Sequence, residues 1–346
     1  MAGHDFYMKR CIHLAELGKG NVSPNPMVGA VLVYNDIIIG EGFHAQFGFE
    51  HAEVACINSV SDDDKNLIKD SVLYVSLEPC SHFGKTPPCS DFIIKSKIKK
   101  VVIAMQDPFK EVSGSGIKKL RDNGIEVIQN VLKSEAEELN RRFLCFQLNK
   151  RPFIILKWAQ TADNIIGSGN ECRIKISNAY SDYLVHLWRG EEDAIMVGTN
   201  TALLDNPNLN NRSGVGKDPL RVVIDKTLKI PQDFNLYNPS QPTLIINEKK
   251  SIIDGNINFV LVKKNEDVLT SALSHLYSLN INSVIVEGGT ELLNSFIKNG
   301  LWDEARIITN TTLFAGSGKP SPLFKGNKIK SIIIDSDRID FFRKNE

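Results

Sequence analysis

One histidine and two cysteines, each set against a glycine- or proline-rich turn beside a predicted helix or strand, constrain this chain more than any other feature. His51-Ala52-Glu53 opens a predicted helix just after a glycine-rich loop, Glu78-Pro79-Cys80 closes a predicted strand, and Pro87-Pro88-Cys89 opens the next helix. Zinc takes imidazole and thiolate ligands in a tetrahedral array, and a catalytic zinc keeps one position open for water. One imidazole and two thiolates leave that position free, and the metal acidifies the water that fills it. Glu53, two residues past His51, is placed to face the open side and to serve as general base, then general acid. The positive end of a helix favours thiolate at Cys89. His51, Cys80 and Cys89 are therefore predicted as zinc ligands and Glu53 as the catalytic proton carrier.

Each piece alone means little. A single His-Ala-Glu occurs by chance in many helices, and a cysteine beside a proline is usually a packing residue. A structural zinc would need four protein ligands, and the nearest candidate for a fourth is His82, two residues past Cys80. Zinc deaminases carry His-x-Glu followed by Pro-Cys-x-x-Cys, with the Glu not a ligand. Order and residue types match here, but eight residues rather than two separate the cysteines.

Length and composition narrow the setting. At 346 residues the chain has room for two domains, and 41 basic against 41 acidic residues give a net charge of zero. A nucleic-acid binder would normally show a basic surplus or stripe, so no nucleic-acid partner is expected. Six cysteines in a chain this long do not make a disulfide framework. The N-terminal stretch lacks the apolar core of a signal peptide, and no run reaches the ~18 apolar residues of a membrane span. A cytoplasmic enzyme without a membrane partner is expected.

Periodicity predicts an α/β organisation. A helix over Phe6 to Leu17 precedes a hairpin, Val28 to Tyr34 and Ile37 to Gly42, turning at Asn35-Asp36. Helices follow over Ala52 to Val60, Cys89 to Ser96, Gly116 to Asn123 and, as one long element, Ser134 to Leu148; strands over Ser71 to Leu77, Val101 to Met105 and Ile125 to Ile128 form a mixed sheet. A boundary near Lys150 divides a domain over 1–150 from one over 151–346. The second half reads as strands at Pro152 to Ala159, Ala194 to Val197, Arg221 to Ile224, Thr243 to Ile246, Phe259 to Val262, Ser283 to Val286 and Glu304 to Thr311, with helices at Asn178 to Arg189, Glu266 to Leu279 and Thr290 to Asn299.

The stretch Asn25-Pro26-Met27-Val28-Gly29-Ala30-Val31, then His44, His51-Ala52-Glu53 and Glu78 through Cys89, resembles the bifunctional deaminase–reductase family of riboflavin biosynthesis. The long insert between the cysteines is typical of that family and separates it from tRNA adenosine deaminases. The likeness runs from about Phe6 to about Phe324. It implies a cytidine-deaminase-like N-terminal domain and a dihydrofolate-reductase-like C-terminal domain. It implies zinc-dependent hydrolytic deamination of 2,5-diamino-6-(5-phosphoribosylamino)pyrimidin-4(3H)-one, then NADPH-dependent reduction of the ribosyl side chain to give 5-amino-6-(5-phosphoribitylamino)uracil. Zinc and NADPH are the implied cofactors, and a homo-oligomer the implied assembly. In the first domain the resemblance gives substrate contacts to Asn25, His44, His82, Lys85 and Thr86. The chain departs from the family at Asp107-Pro108-Phe109-Lys110, where Asp-Pro-Asn-Pro is common, so only Asp107-Pro108 carries over.

No GxGxxG marks the second half, so the reductase reading does not rest on a Rossmann fingerprint. Two strand-to-helix turns stand in for it: Glu287-Gly288-Gly289-Thr290, and Val197-Gly198-Thr199-Asn200-Thr201 running on to Asp205. Glycines there let backbone N–H groups approach phosphates at a helix start. By resemblance Ala159, Lys175, Thr201, Asp205, and Gly289, Thr290, Glu291, Leu292, Leu293, Asn294 and Ser295 contact the cofactor; Arg173, Arg189, Leu209, Arg212 and Glu287 contact the substrate. A guanidinium offers two parallel donors to a phosphate monoester. Asn164 stands where the family has glycine, and Asn tolerates the left-handed backbone that turn needs. The competing reading is a zinc deaminase acting on a nucleoside or tRNA with an unrelated or inactive second domain; the neutral charge and the cysteine spacing argue against it.

Overall fold

The structure, a computed structural model, describes residues 3–81, 87–109, 113–168 and 174–344. It divides into two compact units, Met1–Lys150 and Arg151–Glu346.

The first unit begins with α1 (His4–Glu16), whose buried Tyr7, Met8, Cys11, Leu14 and Ala15 repeat at helical spacing. Strands β1 (Gly29–Tyr34) and β2 (Ile37–Phe43) follow. They turn at Asn35 and Asp36, at φ +46° and +63°, the double positive φ that a two-residue hairpin of right-handed twist requires. Then come α2 (Ala52–Asn58), a 3-10 segment (Asp62–Asp70), β3 (Val72–Leu77), α3 (Cys89–Lys95), β4 (Lys100–Met105), α4 (Ser115–Asp122) and β5 (Glu126–Ile128). The sheet order is β2-β1-β3-β4-β5, antiparallel at β2–β1 and β1–β3 and parallel beyond. Helix α1 lies hard against β1: a side chain at Gly29 would put its Cβ 2.0 Å from the Cys11 carbonyl oxygen.

The long helix expected over Ser134 to Leu148 is two helices, α5 (Lys133–Leu139) and α6 (Arg141–Asn149). The break falls at Asn140, at φ −98° and ψ 17°. Its buried side-chain amide accepts from Met27 N–H at 2.8 Å and donates to Met27 O at 2.9 Å. A distant backbone thus claims a side chain whose competition with helical bonding is familiar in Asn.

The second unit runs β6 (Phe153–Gln160), β7 (Ile165–Gly167), α7 (Ala179–Glu191), β8 (Ala194–Gly198), α8 (Thr199–Asp205), β9 (Leu220–Ile224), β10 (Thr243–Asn247), β11 (Ile252–Asp254), β12 (Ile257–Leu261), α9 (Val268–Ser278), β13 (Ser283–Val286), α10 (Thr290–Lys298), β14 (Glu304–Asn310), β15 (Lys319–Pro320), β16 (Asn327–Ile334) and β17 (Asp337–Arg343). Helix α9 begins two residues later than expected because Asp267 caps it, accepting from Thr270 N–H at 2.8 Å. Ten strands form one sheet, ordered β11-β12-β10-β9-β8-β13-β6-β14-β17-β16. From β12 to β14 the pairs are parallel. The inner strands β8 and β13 are buried almost throughout, as a parallel sheet covered on both faces demands.

The hairpin β16–β17 was not expected, since lysines interrupt β16 and most of it is exposed. Nor was α8, a seven-residue helix too short to show a period. Asn164 adopts φ +61° in the turn between β6 and β7, as its glycine-like tolerance suggested. Strand β13 lies between β6 and β8, although it comes long after both in sequence. The sheet therefore grows away from β13 in two directions, and the crevice beyond the carboxyl ends of β8 and β13 is a topological switch point, where open α/β sheets bind ligands.

Candidate functional site

In the first unit the ligand candidates converge. His51 is the residue before the first turn of α2, Cys89 opens α3, and Cys80 follows the end of β3. The donor atoms of His51, Cys80 and Cys89 lie within 4.8 Å of one another. His51 Nδ1 stands 3.7 Å from Cys80 Sγ and 3.3 Å from Cys89 Sγ. Two donors held tetrahedrally at zinc bond lengths of about 2.1 and 2.3 Å are roughly 3.6 Å apart. The imidazole and two thiols therefore fit zinc in both kind and spacing.

The start of α3 reaches Cys80 as well as carrying Cys89. The Cys89 N–H donates to Cys80 Sγ at 3.3 Å. The Cys89 thiol and then His51 also hydrogen-bond Cys80, and together they lower its thiol pKa. Cys89 itself is pushed up, by its bond to Cys80 and by burial. The first amide of α3 thus points at the sulfur of Cys80.

Glu53 sits in the first turn of α2 and is 3% exposed. Burial foremost, then the neighbouring Cys80 charge, pushes its carboxyl up to about 7. Such a carboxyl is able both to hold and to release a proton near neutrality. His44 is buried beside His51, ring centroids 5.5 Å apart and edge to face. Its Nδ1 lies 3.0 Å from Glu50 O, which only accepts, so Nδ1 carries the hydrogen and Nε2 accepts from Asn25 Nδ2 at 3.1 Å. Burial lowers the His44 pKa, in keeping with that neutral tautomer. The structure thus brings Asn25, His44, His51, Glu53, Cys80 and Cys89 together. His82, Lys85 and Thr86 lie outside the described residues.

The second unit holds a cavity of about 1440 Å³ at the switch point. Ala159, Lys175, Arg189, Thr201, Asp205, Leu209, Arg212, Glu287, Gly289, Thr290, Glu291, Leu292 and Ser295 all line it. Leu293 does not: its side chain is fully buried in the core and its N–H is bonded to Gly289 O at 3.2 Å. Asn294 is exposed and also absent from the lining. Arg173 lies outside the described residues. Single ligands occupy ~300–1,000 Å³, so the cavity has room for a dinucleotide and a second molecule. The starts of α8 and α10 meet at its floor, where Gly289 N–H donates to Thr201 Oγ1 at 2.9 Å and Asn200 Nδ2 reaches Glu291 at 3.1 Å.

Ion pairs organise the cavity wall. Arg189 Nε and Nη2 donate to the two oxygens of Glu287 at 2.8 and 2.9 Å, and Lys157 Nζ lies 3.5 Å from the same carboxylate. Burial alone would raise the Glu287 carboxyl; the charges of Arg189 and Lys157 outweigh it and hold it at about 2. Two residues expected to meet substrate separately are therefore joined to each other. Arg212 packs on His186, its guanidinium 2.9 and 3.1 Å from Nε2. Lys175 pairs with Asp182. Sequence reasoning singled out neither Lys157 nor His186. A signal existed for the second, because Asp182, His186 and Arg189 recur at i, i+4 and i+7 on α7 and mark one polar stripe.

Comparison with known proteins covers both units. The family described as the RibD C-terminal domain matches residues 152–340, and the cytidine and deoxycytidylate deaminase zinc-binding region matches residues 1–105. The riboflavin biosynthesis protein RibD of Aquifex aeolicus (strain VF5) is 40% identical over 308 residues, covering 87% of this chain and 85% of that protein. The RibD protein of Bacillus amyloliquefaciens is 37% identical over 337 residues, covering 95% and 90%. Among solved structures, a diaminohydroxyphosphoribosylaminopyrimidine deaminase/5-amino-6-(5-phosphoribosylamino)uracil reductase from Thermotoga maritima is similar with a TM-score of 0.90 at 35% identity, covering 99% of this chain and 98% of that one. Acinetobacter baumannii RibD is similar at 28% identity with a TM-score of 0.89, covering 99% of each chain.

Proposed function

The chain belongs to the RibD family of riboflavin biosynthesis, and from that premise we propose that residues 1–150 carry its deaminase and residues 151–346 its reductase. It is a bifunctional enzyme that uses zinc and NADPH, a zinc-dependent hydrolase joined to an NADPH-dependent oxidoreductase with a dihydrofolate-reductase-like fold. It removes the amino group of 2,5-diamino-6-(5-phosphoribosylamino)pyrimidin-4(3H)-one as ammonia and reduces the ribosyl chain to ribityl. The RibD match over 152–340 rules out an unrelated second domain.

The observation that supports the first assignment is the approach of three donor atoms to within 4.8 Å beside a buried carboxyl. His51, Cys80 and Cys89 are the residues to hold zinc. Bound there, zinc supplies the Lewis acidity that makes water a nucleophile near neutral pH. Glu53 would carry one proton of the attacking water to the ring nitrogen and then the remaining hydroxyl proton to the departing amine, so that ammonia leaves and a ring carbonyl remains. Asn25, fixed by His44, orients the pyrimidine edge with an amide that both donates and accepts.

In the second unit the switch-point cavity takes NADPH and the phosphoribosyl substrate together. The cofactor supplies hydride to the sugar C1 carbon. Thr201 and the first turn of α10 line the cofactor's part. Arg212 offers its guanidinium to the substrate phosphate. Arg189 acts through Glu287, whose charge and direction it sets, rather than as a second phosphate clamp.

The test supplies the diaminopyrimidinone phosphoribosyl compound and follows ammonia release and NADPH oxidation separately. Both signals are expected. Ammonia without NADPH consumption would leave the reductase assignment without support, and neither signal would overturn both. No described helix is long and apolar enough to cross a membrane. We place the enzyme in the cytoplasm, consistent with the five described cysteines being free thiols. We also propose a homo-oligomer; β16 is a sheet edge on which Ile329 and Ile333 are 43% and 78% exposed, and sedimentation velocity measures the assembly.

A further inference from the structure

Glu78 takes no part in the steps above, yet it is the most heavily bonded carboxylate near the metal ligands. It is 3% exposed. Its Oε2 accepts from the Asp107 N–H at 3.2 Å and the Gly114 N–H at 3.0 Å, and its Oε1 from the Gly116 N–H at 2.9 Å and the Ile117 N–H at 3.2 Å. Amide bonds to a buried carboxylate are charge-assisted and strengthened by the low local dielectric. Cys80 lies past the end of β3 at Leu77, so no strand ladder holds it.

Two further contacts tie the neighbours of Cys80 to the same place. The Gly116 Cα packs so close to the Pro79 carbonyl that an added Cβ would stand 2.0 Å from that oxygen. Ser81 Oγ meets Ser115 Oγ at 2.6 Å. Residues on both sides of Cys80 are thus fixed to the start of α4. From the opposite side α3 holds Cys80 itself, through Ser90 N–H to its carbonyl at 3.1 Å and Cys89 N–H to its sulfur at 3.3 Å.

We propose that Glu78 is a positioning residue for the deaminase: it holds Cys80 at the spacing from His51 and Cys89 that the metal requires, and through the Asp107 amide ties that ligand to the loop after β4. The inference rests on His51, Cys80 and Cys89 being the zinc ligands. Among the described residues, the hydrogen-bond partners of the Glu78 carboxylate are the amides of Asp107, Gly114, Gly116 and Ile117.

The test uses the full-length enzyme carrying Glu78→Gln, titrated with cobalt(II) in place of zinc. One end of a glutamine amide still accepts, but its NH₂ faces two of the four donors. Metal affinity is expected to fall about 10- to 100-fold, as when a ligand's outer support is lost. The cobalt absorption bands shift, and the kcat for ammonia release falls while KM holds. Far-ultraviolet circular dichroism and the melting curve report that the first unit is folded, and NADPH oxidation of directly supplied deaminated compound stays at the wild-type rate. A second measurement needs no variant: in the wild type, hydrogen exchange at Gly114, Gly116 and Ile117 slows when cobalt binds. Cobalt affinity and bands in Glu78→Gln equal to those of the wild type overturn the inference alone. So do exchange rates indifferent to metal, even where the variant fails to fold. A wild-type protein that takes up no cobalt overturns the ligand assignment and this inference with it.

Discussion

Arg189 and Glu287 face each other in a two-pronged ion pair inside the reductase cavity, with side chains only 15% and 10% exposed. A buried pair of this kind is a poor source of stability compared with apolar packing, but losing one partner strands the other. Arg189→Met is therefore expected to destabilise the second unit by about 3–5 kcal/mol and to abolish NADPH oxidation. Calorimetry and the reductase assay check both.

The same pair carries a pH dependence. The folded Glu287 carboxyl is held at about 2 against an ordinary value of 4.5. A depressed carboxyl stabilises the fold fully above its unfolded value, and that contribution is lost as pH falls through its folded value. Wild-type melting temperature should drop between about pH 4.5 and pH 2 more steeply than that of Glu287→Gln. Parallel melting curves for the two proteins would show the pair carries no such contribution.

Glu53→Gln keeps the shape of the carboxyl and removes its proton exchange. Ammonia release is expected to fall by roughly 10²- to 10⁴-fold, with zinc content unchanged and NADPH oxidation unchanged when the deaminated compound is supplied directly. Metal analysis beside the two assays separates this from a loss of zinc.

Chelation, or Cys80→Ser, should silence the first activity alone. With the deaminated phosphoribosylaminouracil supplied directly, NADPH oxidation continues at the untreated rate. A parallel loss of both activities would place zinc in the reductase as well.

Asn140→Ala breaks both bonds to Met27 and leaves a backbone N–H without its partner. The expected cost is about 1–3 kcal/mol, read as a lower melting temperature. Ammonia release should weaken too, because the Asn25-Pro26-Met27 turn loses its anchor.

The cluster of His51, Cys80 and Cys89 was legible because its chemistry sits in short runs, His51 with Glu53 and Pro-Cys twice, each at a turn that periodicity places. Glu78 was quoted in that motif but its work was hidden, since its partners are backbone amides that every sequence possesses. Asn140 was hidden for the opposite reason. Its surroundings have a sound helical pattern, and only a contact 113 residues away breaks it. In the second unit the turns at Gly198 and Gly288-Gly289 located the cavity, while the pairing of Arg189 with Glu287 required the folded sheet to bring α7 and β13 together.

Strand β13 pairs with β6 along one side and with β8 along the other. During synthesis β6 and β8 leave the ribosome first; β8 can pair with β9, but both partners of β6, β13 and β14, come later. The wall of the cavity built from β6 and α10 waits for Ser283 to Val286 to arrive between β6 and β8. Such late, non-local closure is slow, and it leaves exposed strand edges meanwhile. A chain cut short just before Ser283 therefore leaves β6 with no partner in that sheet, even though most of the cavity's residues have already been made.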